Sequence, residues 1–165
     1  MTTRIDAAAL RKRREHLQLR LRREDESRQA RELAHRLHAL GLRRMSRLPP
    51  SRAHALVAPF AHWPGRDERF YWPEIPGHVC RYWSDEAARD DAFREALRAN
   101  FAPSARLALV FHPAESALVL GREDAIAHAD AVLAQGYAAW WIVALRGPSK
   151  LVEVCFGDDE VCWIA

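Results

Sequence analysis

The chain has 165 residues, of which 49% are hydrophobic and 28% charged, and its formal net charge is +3 at pH 7. No apolar run approaches the roughly 20 residues that a membrane helix needs, which excludes a helical membrane protein. The first 30 residues are rich in arginine and lack the apolar stretch of a secretory signal. Three cysteines are too few for a disulfide framework. We therefore expect a reduced, cytoplasmic protein with no membrane partner.

Charge is distributed unevenly along the chain. Residues 1–55 contain 15 arginines and lysines against 6 aspartates and glutamates, whereas residues 56–165 contain 10 against 16. A basic part beside an acidic part predicts two surfaces with different tasks. Because arginine offers phosphate a bidentate fork, the basic part is a candidate contact for nucleic acid. The scarcity of lysine also fits a simple coding bias.

Residues 6–47 are predicted to be helical, with Asp6 as the N-terminal cap and Gly41 as the terminator. The polar residues 22–28 divide this segment, so that either one long helix crosses solvent or a second helix begins at Ser27. Pro49-Pro50 is expected to end all helix. The apolar positions on the two helical faces are Leu10, Leu17 and Leu21, followed by Ala30, Leu33, Leu37 and Leu40.

The rest of the chain predicts strands alternating with helices. One helix is expected to begin at Ser84-Asp85-Glu86 and end near Asn100, and another covers Arg122–Gln135. Tyr137–Leu145 is apolar on both faces, which is typical of a central strand. The other predicted strands are Ala55–Phe60, Val79–Trp83, Leu107–Phe111 and Ala117–Leu120.

A hairpin is predicted from Leu151–Phe156 and Val161–Ile164, with a two-residue turn at Asp158-Asp159. That turn pairs Phe156 with Val161 and Cys155 with Cys162. One face then carries Val152, Val154, Phe156, Val161 and Trp163, and the other Glu153, Cys155, Cys162 and Ile164. We therefore expect one α+β domain over residues 1–165, with a basic helical segment at 1–47 and an antiparallel or mixed sheet with packed helices at 48–165.

Cysteine and histidine give little sign of a metal site. Cys155 and Cys162 lack the spacing of a zinc knuckle, so they are expected to be half-buried core residues, and a disulfide between them is disfavoured in a reducing cytosol. His35 and His38 have a chelating spacing but no third ligand, so they are expected on the surface. The sequence contains no P-loop, dinucleotide fingerprint or nucleophile elbow, and no cofactor is expected.

The aromatic stretch from Phe60 to Trp83 leaves three interpretations open. Its rings, interleaved with Arg66, Arg69 and Arg81, suit a plain core, a protein interface or a surface on which single-stranded bases stack. A separate hypothesis, an enzyme site around His112 and Glu115, rests on a histidine placed at a strand end.

Acidic residues cluster at predicted turns and helix starts. They either solubilise those positions or form an anionic face that meets a basic partner. The residues predicted to contact such a partner are Asp85, Glu86, Asp90, Asp91, Glu123, Asp124, Asp158, Asp159, Glu160, Trp72 and Trp83.

The C-terminal third resembles a known family. The segments Trp140–Val143, Leu151–Phe156 and Val161–Ile164 resemble the ending of many small bacterial immunity proteins, which accompany contact-dependent growth-inhibition and other polymorphic toxins. The resemblance implies a small cytoplasmic α+β domain that has no catalytic residues and blocks the active site of a cognate toxin domain. Many such toxins are nucleases with basic surfaces. Immunity proteins against nucleases are usually acidic overall, and this chain departs from that pattern.

We therefore expect a non-enzymatic immunity protein whose partner is a toxin domain, in particular a nuclease. The alternative is a nucleic-acid-binding or regulatory protein that uses the arginine-rich N-terminal helix.

Overall fold

The computed structural model of the protein describes residues 12–18, 31–66, 69–111, 116–134 and 139–164. Residues 12–18 are helical, and so are residues 31–39, here called α1. The further helices are α2 (Pro50–Val57), α3 (Glu86–Asn100), α4 (Arg122–Ala127) and α5 (Ala129–Leu133), with 3-10 turns at Ala58–Phe60 and Trp72–Glu74. The strands are β1 (Ser46–Leu48), β2 (Gly65–Arg66), β3 (Arg69–Phe70), β4 (His78–Tyr82), β5 (Arg106–Val110), β6 (Ala117–Gly121), β7 (Ala139–Ala144), β8 (Leu151–Cys155) and β9 (Glu160–Ile164).

Seven of the strands form one sheet in the order β1-β6-β5-β7-β8-β9-β4, and every neighbouring pair is antiparallel. β2 and β3 form a separate two-stranded ribbon. The α+β class is thus confirmed, with an antiparallel rather than mixed sheet. β7 lies fourth of seven strands, which confirms the prediction of a central strand.

Both faces of the sheet are covered, which explains why β7 is apolar on both sides. The helix-side core packs α1 and α3–α5 on one face, where Trp140 and Ile142 of β7 lie. The aromatic-side core packs α2 and the loop residues 58–75 on the other face, where Trp141 and Val143 lie. Of the helices in the described part of the chain, none is long and apolar enough to cross a bilayer.

Two predicted helix ends are confirmed by their capping. The Asp85 carboxylate accepts a hydrogen bond from the Ala88 amide at 2.8 Å and caps the start of α3. After α1, Gly41 takes a φ of 91°, and the Leu42 amide donates to the Leu37 carbonyl at 3.0 Å. This Schellman arrangement reverses the chain and buries Leu42 beside α1.

The prediction around the Pro49-Pro50 pair was wrong. Pro50 begins α2 instead of ending all helix, because proline suits the first helical position, where its missing N–H has no partner to lose. The predicted strand Ala55–Phe60 is consequently the end of α2 followed by a 3-10 turn. The end of the predicted helix 6–47 is also corrected, since Ser46–Leu48 forms β1. The question of one or two helices at residues 19–30 lies outside the described residues.

The predicted helix Arg122–Gln135 is two short helices. α4 ends at Ala127, and His128, with φ −115° and ψ 34°, leaves the helical conformation before α5 begins. The apolar positions Ala125, Ile126, Ala129 and Val132 nevertheless all enter the helix-side core. The helical periodicity therefore predicted correctly which residues are buried, but it did not predict the interruption of the helix at His128.

The C-terminal hairpin exists, but its register is shifted by two residues. Cys155 pairs with Glu160 and Val154 with Val161, so residues 156–159 form a four-residue turn in place of the predicted two-residue one. A shift of two preserves which side chains share a face. Val152, Val154, Val161 and Trp163 accordingly enter the helix-side core as predicted.

A disulfide joins Cys80 of β4 to Cys162 of β9, two residues that lie directly opposite each other. The expectation that the cysteines are all reduced was therefore wrong for this pair, and it holds for Cys155, which is free and buried. The partner of Cys162 lies 82 residues earlier in the chain, too far for a local pattern to indicate the pairing.

Candidate protein-binding surface

A buried carboxylate organises the aromatic-side core. Glu153 of β8 is 1% exposed and accepts hydrogen bonds from the Phe70 amide at 3.1 Å and from the indole nitrogens of Trp72 at 2.5 Å and Trp141 at 2.8 Å. Burial raises the pKa of Glu153, and these three donated hydrogen bonds oppose that shift. The side chain therefore ties the loop carrying Phe70 and Trp72 to the centre of the sheet.

Aromatic rings complete this attachment. Trp63 makes edge contacts with Phe70 at 5.1 Å and with Trp72 at 5.6 Å between ring centroids, and Phe70 lies 5.9 Å from Trp141. Such tilted pairs are favourable because the positive edge of one ring meets the negative face of another. Three interpretations of the aromatic stretch were open, a core, a protein interface and a base-stacking surface. For these four rings the structure supports the first, because they pack in the aromatic-side core.

Arg69, next to Phe70, attaches the same loop to the end of the sheet at the β8–β9 turn. Its guanidinium binds the Asp158 carboxylate and the Glu160 carboxylate, the latter at 2.9 Å. Glu160 is only 6% exposed, so the ion pair compensates a carboxylate that has lost most of its water. The β8–β9 turn, residues 156–159, is thereby fixed to the loop that Glu153 holds.

Tyr82 is the exposed aromatic residue at this end of the sheet. It lies opposite Glu160 on the edge strand β4 and is 73% exposed. The negative charge of Glu160, with a smaller contribution from burial, raises the pKa of the Tyr82 phenol. Beyond Tyr82 the Trp83 amide donates to the Asp159 carbonyl at 2.9 Å, so the chain entering α3 runs beside the β8–β9 turn.

Four of the predicted contact residues meet around Tyr82. Asp158 and Asp159 in the turn, and Asp85 and Glu86 at the start of α3, are all exposed. Together with Tyr82 they are called the acidic surface below. Its backbone is held by the Asp85 cap, the bond from Trp83 to Asp159 and the ion pairs of Arg69.

Three other predicted residues lie near this surface but are not fully presented on it. Trp72 is 1% exposed and belongs to the core, and Glu160 is buried against Arg69, so the expectation that both lie on an exposed face was wrong. Trp83 is partly buried and packs edge-on against Phe156 at 5.8 Å. By residue type alone, these three residues suit a contact with a basic partner as well as tyrosine does. They differ from Tyr82 in that they are buried or partly buried, which the sequence did not show.

The remaining predicted acids do not join the acidic surface. Asp90 pairs with Arg89 at 2.9 Å, and Asp91 pairs with Arg94 at 3.1 Å along α3. Glu123 and Asp124 begin α4 directly after β6, at the opposite end of the sheet from the β8–β9 turn. Five-residue strands separate the two ends by roughly 17 Å, so the predicted acids form more than one patch.

Sequence reasoning missed three residues that build the surface. Glu153 had a visible signal, since it is the one charged residue in Leu151–Phe156, and a buried carboxylate requires donors. Tyr82 could have been found by the alternation of β4 once its edge position was known. Arg69 had no local signal, because its partners lie 89 and 91 residues later in the chain.

Two groups of side chains bring potential metal ligands within 4.8 Å of one another, Cys80–Glu160–Cys162 and Cys155–Asp158–Glu160. In the first group two of the sulfurs are bonded to each other. In the second the Arg69 guanidinium already compensates both carboxylates. Neither arrangement fits a cation, since a metal would have to displace these partners. The hypothetical enzyme site at His112 and Glu115 lies outside the described residues.

Comparison with protein-family models, with curated proteins and with solved structures finds no match for this chain.

The two adjacent tryptophans of β7 provide a matched test of the Glu153 anchor. Trp141 donates to Glu153, whereas the Trp140 indole nitrogen is buried with no partner among the described residues. Trp141→Phe should lower the free energy of unfolding by about 1–3 kcal/mol more than Trp140→Phe, because only the first change leaves a buried carboxylate short of a donor. Urea denaturation of both variants measures this difference, and equal losses would contradict the role of Glu153.

The pKa of Glu153 predicts a pH dependence of stability. Because burial raises this pKa above its ordinary value of 4.5, the folded state binds more protons than the unfolded state between the two values, and stability falls as the pH rises through that window. The stability advantage of the wild type over Glu153→Gln should therefore shrink as the pH rises above 4.5. Urea midpoints measured up to about pH 8 test this, and an advantage that grows with pH would exclude the raised pKa.

The contact between Tyr82 and Glu160 is also open to titration. The wild-type phenol should ionise above its ordinary pKa of 10.0, and Glu160→Gln should bring the pKa of Tyr82 back toward that value because a repelling negative charge is gone. Phenolate absorbance follows the titration, and Tyr82→Phe identifies its share of the signal. An unchanged curve in Glu160→Gln would show that the two side chains do not interact in solution.

Proposed function

We propose that this protein is an immunity protein that binds the basic face of a toxin domain through the acidic surface and occludes the toxin's active site. One observation carries the proposal: an exposed tyrosine, Tyr82, lies beside exposed acidic residues on a fixed backbone, with Asp158 held by Arg69, Asp85 capping α3, and Glu86 and Asp159 exposed beside them. Tyrosine is enriched among the residues that dominate binding energy, and surrounding charges steer and orient the partner. The resemblance of the C-terminal strands to immunity proteins points in the same direction.

Preorganisation of the acidic surface favours tight binding. Association costs free energy wherever loops and side chains must be ordered. Here the disulfide from Cys80 to Cys162 fixes β4 to β9, and Arg69 fixes the β8–β9 turn. A partner that docks on Tyr82 therefore orders little of this chain, which suits an inhibitor that must bind its target quickly and release it slowly.

Part of the positive charge of the described residues lies far from the acidic surface, and the arginines nearest to it are paired, Arg69 with Asp158 and Glu160 and Arg81 with Glu95. The exposed arginines 43, 44 and 47 lie at or beside β1, at the edge of the sheet opposite β4. Six strand spacings separate the two edges by roughly 29 Å. The Debye length is about 8 Å at physiological salt, so the basic edge contributes little to the potential at Tyr82.

The test pairs two exposed glutamates that each lie in the first turn of a helix. Glu86 lies in the first turn of α3 on the acidic surface, and Glu123 lies in the first turn of α4 at the other end of the sheet. Each loses a favourable interaction with the N-terminal end of a helix dipole when changed to lysine. Glu86→Lys should slow association with the toxin several-fold at low salt, whereas Glu123→Lys should leave it unchanged.

The partner is first recovered by purifying the tagged chain from its native host and identifying bound proteins by mass spectrometry. Binding of the purified partner is then measured by calorimetry, together with inhibition of its activity. Tyr82→Ala should weaken affinity by about 30-fold, the loss of about 2 kcal/mol expected for an interfacial tyrosine. A partner that binds without being inhibited, or one whose affinity is indifferent to Tyr82 and Glu86, would overturn the proposal.

A further inference from the structure

A groove lies on the edge of the molecule remote from the acidic surface. It is an open depression lined by α1, β1, the chain between them and Leu118 of β6, and its volume is about 310 Å³. Its apolar floor is formed by Ala34, Met45 and Leu118. The remaining lining residues are polar or cationic, namely His35, His38, Arg43, Ser46 and Arg47.

The local sequence explains this arrangement. His35 and His38 are three residues apart and so occupy one side of α1, while Leu33 and Leu37 on another side enter the helix-side core. The Schellman turn at Gly41 then reverses the chain and returns Arg43 alongside the helix. Arg47 of β1 pairs with Leu118 of β6, which completes the groove. The basic groove, as it is called below, is therefore a product of regular secondary structure.

Positive charge extends beyond the groove itself. Residues 31–48 contain five arginines and two histidines, against a single carboxylate at Glu32. Arg36, Arg43, Arg44 and Arg47 are all exposed. This surface is more extended than a single phosphate group would occupy.

We propose that the basic groove binds a single strand of nucleic acid, with phosphates on its arginines and one base against the partly exposed side chains of Ala34 and Met45. A positively charged groove that follows the backbone is one of the features by which proteins bind single strands without reading sequence, and an aliphatic contact here takes the place of the aromatic ring on which a base usually stacks. A duplex is a poorer fit, because its base faces are already stacked and cannot reach such a floor. The surface is separate from the acidic surface, and the inference does not depend on the toxin hypothesis.

Binding is tested by fluorescence anisotropy with a labelled single-stranded oligonucleotide of mixed sequence at several salt concentrations. Affinity should fall steeply with salt, and Arg43→Ala should lower the slope of log affinity against log salt by about 0.7 if one phosphate contact is lost. Arg146→Ala removes the same charge from an exposed turn between β7 and β8 and serves as the matched control. That variant should bind like the wild type.

The floor is tested separately from the charge. Met45→Ala should weaken binding severalfold while leaving the salt slope unchanged, because it removes a contact to a base and none to a phosphate. Thermal melting checks that this partly buried position still permits folding, and the exposed Arg43 variant tests the proposal independently of that outcome.

Several results would overturn the assignment. Equal losses in Arg43→Ala and Arg146→Ala would show that only net charge matters. A mononucleotide that competes as strongly as the oligonucleotide would show a nucleotide pocket instead of a strand-binding surface. Salt-sensitive self-association in light scattering, with no binding of the oligonucleotide, would show that the groove receives the acidic surface of a second copy.

Discussion

The carboxylate of Glu153 lies almost wholly out of contact with water while it receives hydrogen bonds from two indoles and one backbone amide. Removing a carboxylate from water is costly unless such donors replace the hydration shell. The cost is met here by groups that belong to two different parts of the chain, the central strand β7 and the proline-rich loop. In the described residues this loop, residues 58–75, contains only two 3-10 turns and the short β2–β3 ribbon, so its position depends on the hydrogen bonds to Glu153, the rings packed around it and the ion pairs of Arg69. Because Arg69 belongs to this loop, the contacts of Glu153 also fix the position of Arg69. The ion pairs of Arg69 in turn fix the β8–β9 turn.

A polar group buried on one face of a sheet can thus determine the position of exposed residues at the end of that sheet, here the β8–β9 turn. The acidic surface is built from short-range features, a helix cap and a four-residue turn, but their relative placement comes from contacts between distant residues, namely the pairing of β4 with β9 and the bond from the Trp83 amide to the Asp159 carbonyl. Charge is segregated in the same way. The edge strand β4 carries the acidic end of the molecule and the edge strand β1 the basic one, so a modest net charge conceals two strong local fields. Surfaces of opposite sign at opposite edges can engage different partners without competing.

Local patterns in the sequence predicted the elements whose physics is local. The Asp85 cap, the Gly41 terminator, the apolar runs of β5 and β7 and the facing of Val152 and Val154 all follow from a few neighbouring residues. The failures arose where a local rule had two solutions, as when Pro50 began a helix that proline was expected to end, and where a two-residue shift left the hairpin faces unchanged. The acidic residues were found by composition, but Trp72 and Glu160 could not be separated from exposed neighbours without knowledge of burial. The disulfide from Cys80 and the ion pairs of Arg69 depend on chain segments far apart, which no local pattern encodes.

The order of strands in the sheet has a consequence for how the protein acquires its shape. β4 pairs only with β9 among the described strands, although more than seventy residues of chain separate the end of one from the start of the other. Pairings between such distant segments are slow to form, because the entropy of closing the intervening chain must be lost before any contact is gained. An emerging chain cannot place β4 until β9 has been synthesised. Tyr82 and the β8–β9 turn therefore come together only after β9 has paired with β4, so that a partner binding this end of the molecule binds chains in which that pairing has formed.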